Sequence, residues 1–291
     1  MNPSKLVLGT VQFGRKYGFE KKIINKQNKV NEILELSKKF KILSLDTATD
    51  YLNAEKRIGN YKKRSFFKII TKLPRIESKK ITRNEINYIE KKLFNSLSNL
   101  KQKNIYGVLI HYFDDILKPG SKHLIDFLKD LKKKKIIKKF GISVYSPKQF
   151  NMALNIFIPD IVQFPLNILD QRFLKIDLNK YKKIDFYARS IFLQGLLLHD
   201  TSNLPNFFLP IKKKLEKMVK YCKKNDISQL EACINFIKEQ KNINYFILGI
   251  DNHEQLEQII HIFKKKKNSN INFSKFSINN SKFIDPRNWK L

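Results

Sequence analysis

The sequence predicts an α/β fold: a (β/α)8 TIM barrel made by a single domain over residues 1–291, with an extra helix and a C-terminal tail over 268–291. Three observations predict it. Short apolar runs alternate with helix-patterned segments from end to end, the mark of parallel strand–helix units. Eight such repeats can be counted, the number that closes this barrel. The first polar residues after three consecutive apolar runs are an acid, an amine and an imidazole, where barrel enzymes carry their chemistry. At 291 residues, 42% of them hydrophobic, the chain can bury one large core.

The predicted strands are residues 6–8, 42–45, 66–71, 105–110, 140–143, 160–163, 184–188 and 245–248. A short helix over 53–61 follows the second. After the third, Thr82-Arg83-Asn84-Glu85 reads as a capping box, and Ile86, Ile89, Leu93, Leu97 and Leu100 form one apolar stripe at steps of three and four. Ser146-Pro147 supplies a cap and a first-turn proline for the helix bearing Phe150, Ala153, Leu154 and Phe157. The longest insertion, 190–206, follows the seventh strand. Two helices come after it, one carrying Ile211, Leu215 and Met218, the other opened by Ser228, so one helix is extra to the barrel. Asn252-His253-Glu254-Gln255 opens the last helix, and the polar tail from Asn268 either folds back over the barrel mouth or frays.

Two cysteines, Cys222 and Cys233, lack metal-site spacing and read as buried free thiols. No stretch is long and apolar enough for a membrane span, and the start lacks a signal-peptide core, so a cytoplasmic protein is expected. With Lys+Arg at 58 against Asp+Glu at 26, the formal charge is +32. Such a balance can mean a nucleic acid or an anionic membrane as partner. Here the excess is lysine scattered over helix faces in a chain also rich in Asn and Ile, which share A- and T-rich codons. A biased genome accounts for it, so no specific nucleic-acid partner is expected.

The chemistry is organised around Leu45-Asp46-Thr47-Ala48-Thr49-Asp50-Tyr51. Asp46 ends the second strand and Tyr51 lies in the turn beyond it. Lys72 and His111 end the next two strands. Each alone is ordinary: a helix cap, a loop lysine, a half-buried histidine. Together Asp46, Tyr51, Lys72 and His111 form a proton-transfer set. A free phenol has a pKa near 10, and an adjacent ammonium should lower it, with Asp46 keeping that ammonium charged.

The chain resembles the aldo/keto reductases, NAD(P)H-dependent carbonyl reductases on a (β/α)8 barrel. The resemblance is carried in order by Leu8-Gly9-Thr10, Leu45-Asp46-Thr47-Ala48 with Tyr51, Thr71-Lys72-Leu73, Leu109-Ile110-His111, Phe140-Gly141-Ile142-Ser143, Val162-Gln163, and Ser190 with Gln194-Gly195-Leu196-Leu197. It implies Tyr51 as general acid, Lys72 and Asp46 as the ion pair that tunes it, and His111 as the group orienting a small-molecule carbonyl substrate. It also implies a cofactor site formed by Gly9, Thr10, Ser143, Gln163, Arg189, Ser190, Gly249, Asn252, Gln255 and Gln258, and no metal. The absence of a G-x-G-x-x-G turn fits a barrel rather than a Rossmann site.

Three departures stand out. Val144 replaces a frequent Asn, Arg189 replaces a frequent nicotinamide-stacking aromatic, and Gln255 replaces the cation that grips the 2′-phosphate of NADPH. The cofactor is therefore NADPH or NADH, with NADPH slightly favoured by the resemblance. The spellings Thr10-Val11-Gln12-Phe13-Gly14, Arg189-Ser190-Ile191-Phe192 and Asp285-Pro286-Arg287-Asn288-Trp289 look like a bacterial branch linked to surface-sugar biosynthesis. That makes a sugar or nucleotide-sugar carbonyl conceivable, while the positive field of the lysines would favour an anionic cofactor and an anionic substrate. The alternatives are a cofactor-binding redox sensor with little turnover, and a lysine-driven binder of anionic polymers.

Overall fold

The computed structural model describes residues 2–18, 26–265 and 271–290; the predicted start of the tail, 268–270, lies outside them. Eight parallel strands close a barrel in chain order: β1 (Leu6–Gly9), β2 (Ser44–Asp46), β3 (Lys68–Lys72), β4 (Ile105–Ile110), β5 (Ile137–Ser143), β6 (Ile161–Pro165), β7 (Asp185–Arg189) and β8 (Tyr245–Gly249). All eight predicted strands are found, shifted at most a few residues at their ends. The ring of helices begins with a single turn, α1 (Val11–Gly14), and continues with α2 (Gln27–Lys39), α3 (Ala54–Asn60), α4 (Arg83–Leu100), α5 (Ser121–Lys133) and α6 (Pro147–Ile156). Two helices, α7 (Leu209–Lys224) and α8 (Gln229–Lys238), follow β7, and α9 (His253–Lys264) follows β8.

The local signals act as their chemistry dictates. Thr82 and Glu85 form the capping box of α4, Ser146 caps α6, Ser228 caps α8 and Asn252 caps α9. Cys222 and Cys233 are buried on α7 and α8 as free thiols.

The expected run of eight strand–helix repeats fails once. Between β6 and β7 there are only two short 3-10 turns, Arg172–Lys175 and Leu178–Tyr181. Side chains take over backbone pairing there: Asn167 Oδ1 accepts from the amides of Leu169 and Asp170, and Gln171 Nε2 donates to the carbonyls of Ile168 and Phe273. The tail settles against this crossover, the Ile278 amide donating to Leu169 O at 2.8 Å. Its Phe273, Phe276, Phe283 and Ile284 are buried, so it neither frays nor, over its described residues, lines the cavity.

Strand side chains alternate with a period of two, and that period divides the core. Leu6, Leu8, Leu45 and Ile69 face the helices, whereas Val7, Ile70, Leu109, Ile161, Tyr187 and Ile247 pack inside the barrel as a plug. No described helix is long and apolar enough to cross a membrane.

Candidate active site

One period beyond the plug, the inward positions turn polar. Stepping two residues from Val7, Ser44, Ile70, Leu109, Gly141, Ile161, Tyr187 and Ile247 reaches Gly9, Asp46, Lys72, His111, Ser143, Gln163, Arg189 and Gly249. The apolar plug is thus the floor on which a polar layer rests, at the C-terminal ends of the strands.

Asp46 is the hub of that layer. Lys72 Nζ donates to Asp46 Oδ2 at 2.6 Å and to Thr47 O at 2.9 Å, and Gln163 Nε2 donates to Asp46 Oδ1 at 2.8 Å. The Lys72 and Asp46 side chains are 1% and 6% exposed, so the ion pair is almost wholly buried. Thr10 ties β1 to this point, its amide and hydroxyl both donating to Asp46 O.

Tyr51 lies above the pair, its ring centroid 5.2 Å from Lys72 Nζ. The expected lowering of the phenol pKa does not occur. It is pushed up, first by burial and then by the Asp46 carboxylate. The physical reason is that the buried phenol is stripped of the water a phenolate would need, and the nearby Asp46 carboxylate opposes a second negative charge. Tyr51 is accordingly a neutral O–H donor. Its backbone is located by Gly14 on α1: a Cβ there would sit 1.7 Å from Tyr51 O and 2.7 Å from the Ala54 amide.

His111 lies beside Tyr51 with ring centroids 6.4 Å apart and planes nearly perpendicular. Burial, then the charges of Lys72 and Arg189, hold its pKa down to about 3, so the imidazole is neutral. Asp50 stands 3.9 Å from its Nδ1, too far to hydrogen bond, and accepts instead from the Tyr112 hydroxyl at 3.0 Å. The buried Nδ1 has no hydrogen-bond partner among the described residues.

A cavity of about 350 Å³ opens on this layer and runs outward to α9. Its inner end is lined by Asp46, Tyr51, Gly9, Thr10 and Gln163; Arg189, Ser190 and Gly249 form its sides, and Gln255 and Gln258 its outer rim. Four expected residues stand outside the lining. Lys72 is behind Asp46, Ser143 is buried at the end of β5, His111 is beside the cavity, and the Asn252 side chain is spent on capping α9 by accepting from the Gln255 amide at 2.9 Å.

The loop after β7 forms one wall and is strained. Ser190, Leu193 and Gln194 all have positive φ, 61°, 47° and 54°. Each costs of order 1–2 kcal/mol, and such clusters persist mostly where the geometry serves a site. Gln194 Nε2 reaches the Tyr17 hydroxyl at 3.4 Å, and the Tyr17 phenol is pushed up to about 12 by burial and then by Tyr51.

The sequence reading missed Gln12, Tyr17, Gln194 and Asp251, all in the cavity lining, and Tyr145 beside it. Gln12 carries a buried Oε1 with no partner among the described residues. Its only sequence signal is the spelling Thr10-Val11-Gln12-Phe13-Gly14. An elongated cavity with amides and hydroxyls inside, an orphaned acceptor and a helix N-terminus at its rim suits a long polar cofactor with an anionic middle. No group of His, Cys, Asp and Glu among the described residues could hold a metal.

Residues 5–274 match a family model described as the aldo/keto reductase family. No curated protein matches the chain. Among solved structures, the holo form of the aldo-keto reductase AKR11C1 from Bacillus halodurans is 18% identical, with a TM-score of 0.71 over 90% of this chain and 87% of that one. The glycerol dehydrogenase AKR11B4 from Gluconobacter oxydans is 21% identical, with a TM-score of 0.66 over 90% and 87%. At these identities both show the shared fold.

Proposed function

The chain belongs to the aldo/keto reductase family of NAD(P)H-dependent oxidoreductases, and on that premise we propose that it reduces an aldehyde or ketone with Tyr51 as proton donor. The observation that carries this reading is the placement of Tyr51, the Lys72–Asp46 pair and neutral His111 at the inner end of one cavity or beside it.

Held in this cavity, a dihydronicotinamide would supply hydride to the carbonyl carbon. As the carbonyl π pair collapses onto oxygen, Tyr51 gives that oxygen its proton, and the raised pKa ensures the proton is present beforehand. The phenolate left behind is 5.2 Å, by ring centroid, from the Lys72 ammonium. Neutral His111 can donate one N–H to the same oxygen and fix the carbonyl for attack. Gln163, its Nε2 given to Asp46, and Gln12, with its free Oε1, would suit the NH2 end of a carboxamide as acceptors. A sugar or nucleotide-sugar carbonyl is the substrate class suggested by the motif spelling. Oxidation of NADH or NADPH followed at 340 nm over a carbonyl panel tests the reading; cofactor that binds but is not turned over with any carbonyl would sink it.

Cofactor choice rests on the outer rim. Gln255 is folded back on Asp251: its Oε1 accepts from the Asp251 amide at 2.8 Å and its Nε2 approaches Asp251 Oδ2 at 3.3 Å. A carboxylate and an amide thus face the cavity where the resemblance implies a cation. A 2′-phosphate would be repelled there, while a ribose hydroxyl could donate to Asp251. NADH should therefore bind at least as tightly as NADPH in a fluorescence titration. A preference for NADPH above about a hundredfold, or about 2.7 kcal/mol, would mean that another cation has taken the role.

Gly14→Ala tests how Tyr51 is positioned. The added methyl meets backbone rather than a flexible side chain, so the Tyr51 turn must move. Displacements of about 1 Å at a reacting group cost up to about 100-fold in rate. Reduction by the folded variant should fall at least about tenfold, whereas wild-type activity would show that the turn is not fixed by this contact.

A further inference from the structure

Three arginines cluster near the ends of β5, β6 and β7, and two of them are neutralised. Arg172 holds Asp170 through Nε and Nη2, both at 2.8 Å, and Arg287 holds Asp285 through Nε and Nη2. Arg189 differs. Among the described residues it has no carboxylate partner: Nη1 reaches Ser190 Oγ at 3.3 Å and Nη2 reaches Val144 O at 3.5 Å, both long contacts to neutral groups. Yet it is half-buried and lines the cavity with Tyr51. A half-buried charge that faces a cavity without a counter-charge is available to an anion entering that cavity.

The guanidinium is also held in place. It lies over the Tyr145 ring, Cζ 4.1 Å from the centroid, while Arg287 Cζ is 3.2 Å from the same centroid. Two guanidinium groups that close cannot share one face, so Tyr145 is sandwiched, and the tail's Arg287 braces the ring on which Arg189 rests. This aims Arg189 from β7 across β6 towards the end of β5. α9 and its rim lie on the opposite side, beyond β8. The Arg189 charge is felt at Tyr51, Tyr17 and His111 alike.

We propose that Arg189 receives an anionic group of the substrate, a carboxylate or a phosphate, so that the enzyme acts on carbonyl compounds carrying such a group within reach of the carbonyl. A guanidinium fork suits either anion. The proposal rests on the carbonyl-reductase reading above and assigns its substrate class.

The test uses matched pairs: succinic semialdehyde against butanal for the carboxylate, glyceraldehyde 3-phosphate against glyceraldehyde for the phosphate. Wild-type kcat/KM should favour the anionic member of at least one pair by roughly tenfold or more, the scale of a charge-assisted hydrogen bond. Which pair responds identifies the anion. The ratio should fall close to one in Arg189→Met and recover in part in Arg189→Lys. A second readout does not need turnover. Succinate or inorganic phosphate, titrated into the protein–NADH complex and followed by NADH fluorescence, should bind saturably to wild type and not to Arg189→Met.

The proposal is overturned if wild type shows no preference in either pair and neither anion binds the NADH complex. It is also overturned if Arg189→Met lowers both members of a pair alike with a parallel loss of NADH affinity, since the guanidinium would then serve the cofactor. Saturable anion binding lost in Arg189→Met, without turnover of any carbonyl, would uphold the anion site while the reductase reading failed.

Discussion

Tyr51→Phe is expected to abolish most carbonyl reduction while leaving cofactor binding nearly intact. The change removes one hydroxyl and keeps the ring, which packs edge-on to His111. General acid catalysis contributes about 10²–10⁴ in rate, so kcat should fall by at least the lower bound, roughly 3 kcal/mol of transition-state stabilisation. The affinity for NADH should change only a few-fold. Because the wild-type phenol is held above its ordinary pKa, its ionisation should not impose an alkaline loss of reduction up to about pH 9. A Phe variant turning over near the wild-type rate would remove Tyr51 from the acid role even with the barrel intact.

Lys72→Met should cost both stability and rate. The Lys72–Asp46 pair is 2.6 Å long and almost wholly buried, and removal of one partner from such a pair costs about 3–5 kcal/mol because the other charge is stranded. For 291 residues that is a fall in Tm of about 5–8 °C. Gln163 still donates to Asp46 at 2.8 Å, which keeps the carboxylate from being wholly unpartnered. Adding Asp46→Asn to Lys72→Met removes the stranded charge, so the double variant should regain part of the lost Tm but none of the lost reduction. Equal Tm values for wild type and Lys72→Met would show that the pair is not a buried charge pair.

The sequence made the polar layer legible because the strand period is rigid. Once Ile70 and Leu109 are read as plug residues, Lys72 and His111 must share their face, and no loop geometry intervenes. The same parity places Asp46, Gln163 and Arg189. Legibility ended where long-range packing decides. Nothing local shows that residues 166–184 replace a helix with turns paired by Asn167 and Gln171. Asn252 reads equally well as a cofactor ligand or a helix cap, and it is the cap.

The direction of the Tyr51 pKa shift was not legible either. It is set first by the burial of the phenol and then by the Asp46 carboxylate beside it, which only three-dimensional packing decides. Tyr145 shows the same limit. Its sandwich joins the ends of β5 and β7 to residue 287 of the tail, three segments with no relation in sequence.

The central claim is hydride transfer to a carbonyl with Tyr51 supplying the proton. It is tested most directly by turnover with cofactor deuterated at C4 of the dihydronicotinamide, comparing wild type with Tyr51→Phe over the anionic and neutral carbonyls named above. Many turnovers per wild-type protein are expected, with one deuterium on the carbinol carbon of each product and a drop of at least about a hundredfold in Tyr51→Phe. Cofactor that binds but yields no labelled alcohol from any of these carbonyls, or labelled alcohol formed equally fast by Tyr51→Phe, would contradict it.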